Sequence, residues 1–406
     1  MIWKLGYRNL WRNKRRTALT MTAMATATAL VILILGVQEG MLWDMIEGAT
    51  EMYHGHAQVT APGYLEDNAQ HLTLSDPSLA DRLRADPEVK GVSGRLHGFA
   101  FVTYGQGEDS ESKAAELLGI DAVHEPTVTR LHTCVTEGRF LQAQDVTAVV
   151  LGAGLARTLG ARIGGEVAAL GQGVDGSMAQ GLFTVVGILD SGDPVRDSML
   201  AVVPLVTLGD FLVLPGQVHE WSVALHRVLD APLWTTAQQA KLGLTVRPWQ
   251  EVLPFIAQYL EMWSTFQIIF TAIFYFAVIL VTANTLSMSF FERIREFAVM
   301  GALGLSPGWL MLLIVSEGFM LALLAALIGG AVGSAGSFWL FHHYIDLGGD
   351  AVSFAGTAFQ PRLRSYPTVG NILMPISMML SVGVLIAMIP AMRLRRQRPV
   401  DSLREV

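Results

Sequence analysis

The sequence predicts a membrane α-helical protein: four transmembrane helices, with a large mixed α/β domain inserted between the first two. Three observations carry this. Four long stretches hold almost no charged residue: Thr17–Gln38, Met262–Phe291, Ser306–Ile345 (interrupted only by Glu317) and Ser365–Met392. A helix needs about 20 apolar residues to cross a hydrocarbon core of about 30 Å, and each stretch supplies them. The 406 residues are 51 % hydrophobic and 16 % charged, whereas a soluble chain carries about a quarter charged residues. Charge is also unevenly divided. Residues 39–261 hold 28 acids and 13 bases, net −15, while the remainder holds 7 acids and 15 bases, net +8.

Orientation follows from where the bases lie. Lys4, Arg8, Arg12, Lys14, Arg15 and Arg16 precede the first span, and Arg393, Arg395, Arg396, Arg398 and Arg404 follow the last. Basic flanks mark the cytoplasmic side, so both termini are expected there. Four crossings then put 39–261 outside, 292–305 inside and a short link, 346–364, outside. These bases are topogenic and do not outline a nucleic-acid surface.

The elements follow in order. Residues 1–16 set Trp3, Tyr7, Leu10, Trp11 and Lys14 on one helical face and Lys4, Arg8, Arg12 and Arg15 on the other, which suits a helix lying in the inner interface. Span 1, residues 17–38, is rich in Ala and Thr. Its small residues precede the most apolar part, Leu30–Leu35. A signal peptide would have them after it, so the span is expected to be retained. The domain at 39–261 alternates β-like runs (His56–Ala61, Phe99–Tyr104, Val146–Leu151, Phe183–Leu189, Met199–Val203, Trp221–His226) with helical ones (Ser78–Ala85, Ala153–Leu159, Leu205–Val213). The flanks 39–53 and 249–261 look helical and extend spans 1 and 2 as stalks. Span 2 is 262–291, span 3 is 306–345, span 4 is 365–392, and 393–406 is a cytoplasmic tail. Span 3 carries Gly329, Gly330, Gly333, Ser334 and Gly336, small residues that serve intrachain packing or a dimer contact equally well.

No catalytic residue is expected. The chain has no phosphate-cradling GxxxxGK[ST] motif, so it does not hydrolyse ATP by itself. Gly171–Gly176 reads as a loop. His54 with His56, and His342 with His343, lack further ligands at metal spacing, and no metal is expected. Cys134 is the single cysteine, which excludes an internal disulfide. Glu317 is the one Asp, Glu, Lys or Arg within a span, about 12 Å from Trp309 along a helix. Its depth suits pairing with a base near the inner surface better than substrate contact.

The sharpest local signal is ERIREFAVMGALGLSP, Glu292–Pro307. Ile294, Phe297, Ala298 and Gly301 form an apolar stripe beside Arg293, Arg295 and Glu296. A helix this short does not hold itself, so headgroups or a partner protein must hold it. The segment resembles the E-R-x-x-E-[IF]-x-x-x-x-A-L-G pattern of FtsX-like permeases, the membrane subunits of mechanotransmitting ABC systems, at Glu292, Arg293, Glu296, Phe297, Ala302, Leu303 and Gly304. The start resembles that family's opening at Arg8, Asn9, Leu10, Arg12, Lys14, Arg16 and Thr17. The end resembles its close at Pro390, Ala391, Arg393, Pro399, Val400, Leu403 and Arg404, departing at Leu394, Asp401 and Ser402. GRFL (138–141), 149–167 and FTVVGIL (183–189) resemble the family's periplasmic core.

The resemblance implies a multi-pass protein of the bacterial inner membrane with a periplasmic domain. It implies pairing with a second permease and with a cytoplasmic ABC ATPase that binds the ATP and Mg, this chain holding no cofactor. The seven residues of the Glu292–Gly304 motif would form the coupling helix. Length and the stretch GHAQVTAPGY (55–64) are most similar to lipoprotein-releasing permeases, which imply extraction of lipoproteins from the outer leaflet and transfer to a periplasmic chaperone. The alternatives are MacB-like export of an amphipathic small molecule or peptide, and FtsX-like signalling to a periplasmic hydrolase. The resemblance further implies a lateral gate between span 1 of one protomer (Ala23, Thr26, Ala27, Leu30) and span 2 of the other (Phe266, Ile269, Phe270, Ile273, Phe276).

Overall fold

The fold comes from a computed structural model that describes residues 14–64, 69–105, 110–291, 294, 296, 299–300, 303–348, 352–354, 357–359 and 362–396. The interfacial segment expected at 1–16 lies outside these except for its last turn, as does most of the tail at 393–406. Contacts divide the chain into a membrane unit (Met1–Leu42, Glu261–Leu347, Arg362–Val406) and an inserted unit (Trp43–Leu260 with Gly348–Pro361).

Helix α1 runs unbroken from Lys14 to Ala49 and closes in a π turn, Thr50–His54. Gly55, at φ +72°, turns the chain out of it and donates to Thr50 O. The inserted unit follows as β1 (Ala57–Thr60), α2 (Ser78–Arg84), β2 (Val89–Tyr104), β3 (Glu111–Ile120), α3 (Glu125–Val128), β4 (Val135–Gly138), β5 (Ala148–Gly152), α4 (Ala153–Leu159), β6 (Glu166–Gln172), β7 (Met178–Leu189), α5 (Pro194–Asp197), β8 (Leu200–Pro204), α6 (Leu205–Leu212), β9 (Glu220–Leu225), α7 (Ala231–Leu242), β10 (Thr245–Pro248) and α8 (Trp249–Val252). The last three long helices are α9 (Pro254–Phe291), α10 (Pro307–His342) and α11 (Val369–Arg396). Between α10 and α11 lie two small hairpins, β11 (Ile345–Asp346) with β14 (Arg362–Leu363), and β12 (Val352–Phe354) with β13 (Thr357–Phe359). Among the described residues, four helices are long and apolar enough to cross a membrane.

Strands β1–β10 form one mixed sheet in the order β10-β1-β9-β2-β3-β8-β5-β7-β4, with β6 pairing β2 and β7. Leu96, Val102, Leu117, Leu151, Leu155, Val185 and Leu208 centre one core. Tyr53, Leu118, Leu131, Val150, Leu189 and Val202 centre a second. Edge strand β10 and its inner neighbour β1 are antiparallel, Ala57 opposite Pro248. They are also the strands that follow α1 and precede the second spanning helix, so the two chain entries into this unit are hydrogen-bonded side by side.

Three local readings change. The strand expected at Phe99–Tyr104 is the end of β2, which begins at Val89. Its first half, VKGVSGR, is small and polar, yet Gly91–Leu96 are all buried. A Cβ at Gly94 would stand 2.8 Å from Cζ3 of Trp221, so the strand is small because a neighbour is large. The helical flank expected at 249–261 breaks at Leu253 (φ −119°, ψ 63°) and restarts at Pro254. Span 4 starts as a helix at Val369 instead of Ser365, because Ser365 is buried with its hydroxyl 2.6 Å from that of Ser337.

Candidate functional site

Helix α10 is the hub of the membrane unit, and its glycines set how close its neighbours come. A Cβ at Gly329 would stand 2.8 Å from Cβ of Thr28, and one at Gly333 would stand 2.9 Å from Cα of Ala29. Towards α11, a Cβ at Gly318 would meet Cβ of Ala387 at 2.6 Å, and one at Gly330 would meet Cδ1 of Ile376 at 2.8 Å. Contacts under 3 Å require a glycine, so this stripe is an intrachain seam that draws α1 and α11 onto α10. The second span is the least buried of the four. It packs on the others through Tyr275, Val278, Ile279 and Ala283.

That partial contact leaves a groove of about 470 Å³ between α1 and α9. Ala23, Met24, Thr26, Ala27, Leu30, Val31 and Ile34 form one wall, and Phe274, Ala277, Val278, Val281 and Thr282 form the other. The volume lies within the usual ligand range of about 300–1,000 Å³. Among the described residues, no charged side chain lines it. Its polar groups are two threonine hydroxyls, and Thr282 Oγ1 is buried without a hydrogen bond among the described residues. Of the residues singled out from the sequence, Ala23, Thr26, Ala27 and Leu30 all line the groove, within one protomer. Phe266, Ile269, Phe270, Ile273 and Phe276 do not; they are exposed, from 44 % at Phe266 to 61 % at Phe276. Phe274, Val278, Val281 and Thr282 were not singled out, although they continue the helical spacing of the same apolar run.

At the other end of α9, the described part of the Glu292–Gly304 segment is a helix end. Gly304 takes φ +97°, and Leu305 N donates to Met300 O at 3.2 Å, the six-to-one bond of a Schellman cap. Ile294 and Met300 pack on Leu310, Leu313 and Ile314 of α10. Val299 and Leu303, one turn apart, stay 52 % and 78 % exposed. Glu296 and Glu317 are half-buried. Glu292, Arg293, Phe297 and Ala302 lie outside the described residues.

A second site, in the inserted unit, was not visible in the sequence. Arg95 sits 2 % exposed on β2. Its guanidinium donates to Glu125 Oε1 at 2.6 Å and Oε2 at 3.3 Å, reaches Glu220 Oε1 at 3.4 Å, and also donates to the backbone carbonyl of Tyr53. His97, two residues on and therefore on the same strand face, lies 3.2 Å from Glu116 and 3.6 Å from Glu220. Arg196 adds a contact to Glu116 at 3.9 Å and covers the Tyr53 ring at 4.0 Å. Burial opposes the charge on His97, but its bonds to Glu116 and Glu220 outweigh this and raise its pKa to about 9. Burial likewise works against ionised Glu220 and Glu116, yet His97, with Arg95 and Arg196 respectively, holds both down at about 2. The cluster thus balances three cations against three carboxylates. Burial keeps the neighbouring His54 and His219 neutral, with pKa lowered to about 3 and about 4. The histidines noted in the sequence have structural partners: the His54 carbonyl accepts from Ser222 Oγ, His56 Nδ1 accepts from Leu225 N, and His343 stacks on Trp339. The spacing of Arg95 and His97, alternate residues of one strand, was the signal available for this site.

Comparison with known proteins agrees with this architecture. Residues 17–238 match the MacB-like periplasmic core domain, and 268–399 match the FtsX-like permease C-terminal domain. The chain is 25 % identical over 295 residues to the lipoprotein-releasing system transmembrane protein LolE of Haemophilus influenzae, covering 68 % of this chain and 67 % of that one. Similar solved structures include the periplasmic region of MacB from Actinobacillus actinomycetemcomitans (15 % identity, 52 % of this chain and 95 % of that one, TM-score 0.37). Another is the extracellular domain of the ABC-type transporter YknZ from Gram-positive bacteria (15 % identity, 48 % and 98 %, TM-score 0.35). The core-domain match spans more than half of the chain, and its periplasmic-type unit lies between the first two of four spanning helices. The chain belongs to the FtsX/MacB type of ABC transporter permease, a multi-pass inner-membrane protein of a family that works as dimers with a partner ATPase.

Proposed function

We propose that this permease extracts lipoproteins from the outer leaflet of the inner membrane and passes them to a periplasmic chaperone. The observation that carries the reading is the α1–α9 groove: about 470 Å³, inside the span, apolar, uncharged and walled on one side by small residues. Such a site accepts an acyl chain, each buried methylene of which contributes about 0.8 kcal/mol. A polar or folded cargo would leave its own hydrogen-bonding groups unpaired there. The likeness to LolE supports the same class of cargo. ATP and Mg bind to a separate cytoplasmic ATPase, which docks on the Glu292–Gly304 segment. The exposed Val299 and Leu303 beside the Gly304 cap suit a shallow protein groove. A second permease completes the dimer, with Phe266, Ile269, Phe270, Ile273 and Phe276 presented to it or to lipid.

Photo-crosslinkers placed at Ala27 and Val281 in the full complex should capture a triacylated lipoprotein before ATP is added and release it afterwards. One at Leu327, exposed on α10, should not. Equal capture at all three positions, or none at any, would sink the acyl-groove reading. Co-purification of a peptidoglycan hydrolase without lipoprotein would favour the signalling alternative.

A further inference from the structure

We infer that Arg95 is the positioning residue through which movement of α1 is passed to the β-sheet of the periplasmic domain. The inference rests on the family's coupling to an ATPase and not on the identity of the cargo.

The last turn of α1 presents carbonyl oxygens that have no partner within the helix. In this chain each of three is held by a different part of the domain. Arg95 of β2 donates to Tyr53 O, Ser222 of β9 donates to His54 O at 2.7 Å, and the Arg130 backbone donates to Glu51 O at 2.7 Å. The Arg130 side chain then returns to Glu51 at 2.6 Å. Arg95 differs from the other two ties because it is itself anchored. Its remaining donors are forked onto Glu125 and reach Glu220, which stands directly opposite Arg95 in the β2–β9 register. One planar group therefore links a helix end, α3 and two adjacent strands.

Stability alone gives little account of this arrangement. Removing several charges from water costs about as much as their attraction returns, and apolar side chains of similar size often hold a fold equally well. What the guanidinium supplies is direction. An apolar contact slides under a lateral pull, because its energy depends weakly on orientation, whereas a fork of short charge-assisted bonds resists displacement in a fixed geometry. A helix that must move a domain requires that property where it enters the sheet.

The test uses the complete permease–ATPase complex in lipid nanodiscs. A spin label at Met178, 78 % exposed on β7, reports the distance between the two periplasmic domains with and without ATP. The principal variant is Arg95→Met with Glu125→Gln and Glu220→Gln, which leaves no unpaired charge at the three sites. It should keep its melting temperature within a few degrees and its ATP hydrolysis within two-fold, while the ATP-dependent distance change falls at least two-fold. Ser222→Ala, which removes one hydroxyl, should give a smaller loss of the same kind. Arg139→Met is the control, because Arg139 pairs with Asp145 at 2.6 Å elsewhere in the domain. It should leave the distance change intact even where it lowers the melting temperature. A full distance change in the folded triple variant, or in Ser222→Ala should the triple variant fail to fold, would overturn the inference. So would an equal loss in Arg139→Met. No distance change in the unaltered complex would overturn the inference together with the coupled motion it rests on, and would leave the acyl-groove reading to its own crosslinking test.

Discussion

The membrane unit and the inserted unit hold their parts together by opposite means. Around α10, backbone meets backbone at Gly329 and Gly333, while Gly318 and Gly330 leave room for the side chains of Ala387 and Ile376. Around Arg95, side chains of opposite charge fill the space between a helix end and two strands. The difference follows from solvent. Lipid tails are as apolar as leucine, so no hydrophobic drive brings spanning helices together, and close packing must do it. Inside a water-soluble domain the hydrophobic cores already supply cohesion, so a polar cluster there contributes geometry and a unique arrangement. The groove between α1 and α9 belongs to the first regime: it exists where glycine-mediated approach stops.

The comparison can be broken most severely at Arg95. Arg95→Met alone leaves Glu125 buried without its cation and Glu220 with His97 alone, and should cost about 3–5 kcal/mol. The charge-free triple variant should be much less affected, and thermal melts of the two side by side check this. A triple variant as unstable as the single one would mean that the cluster is held for stability after all.

Gly333→Leu attacks the other regime. It forces side-chain atoms into Ala29 and Ile32 of α1 and should cost about 1–3 kcal/mol or more. The loss should appear in the helical signal of the detergent-solubilised chain, with the Ala27–Val281 separation increased. Gly336→Ala, where the nearest atom is Cδ2 of Leu33 at 3.0 Å, should be milder.

Titration separates the units further. His97 has a folded pKa raised to about 9 from an ordinary 6.5. Its contribution is therefore complete below about pH 6.5 and lost as pH rises through 9. His54 and His219 are lowered to about 3 and 4, and Glu116 and Glu220 to about 2. Their contributions are complete above the ordinary values and are lost as pH falls through the folded ones. Asp197 runs the other way from the glutamates: burial raises it to about 6, so its small contribution fades between pH 4 and 6. The melting temperature of the inserted domain should peak near pH 6.5 and fall towards both pH 9 and pH 3.5. A flat profile from pH 7 to 9.5 would remove His97 from the balance.

The smallest expected effect on stability is at the cytoplasmic end. Gly304→Ala meets open space but must adopt φ +97°, at a cost of about 1–2 kcal/mol to the local cap. Domain melting should not change, while cargo-stimulated ATP hydrolysis falls several-fold. Leu303→Ser should reduce ATPase co-purification with the same unaltered melt.

What could be read along the chain is what depends on neighbours in the chain. Four uncharged runs predict four spanning helices because helix length and apolarity are local. α4 is found at Ala153–Leu159 as expected, since its apolar spacing and the following Gly160 at φ +66° are local too. Ala23, Thr26, Ala27 and Leu30 share one face of α1 for the same reason: the spacing of small residues along a helix is local. The rest needed the tertiary structure. Strand β3, ESKAAELLGI, and the first half of β2 carry little β signal, and they are strands because they pair with each other and with β8 and β9 far along the chain. Which face of span 2 closes the groove was decided by where α10 holds α1. Residues 95, 125 and 220 are separated by long stretches of sequence, and a carboxylate is an ordinary surface residue until a fold brings a guanidinium to it. Span count and helix faces are thus settled by short-range spacing. The groove's second wall and the buried charge cluster are settled by long-range pairing, because only the folded chain fixes which distant groups share one small volume shielded from water.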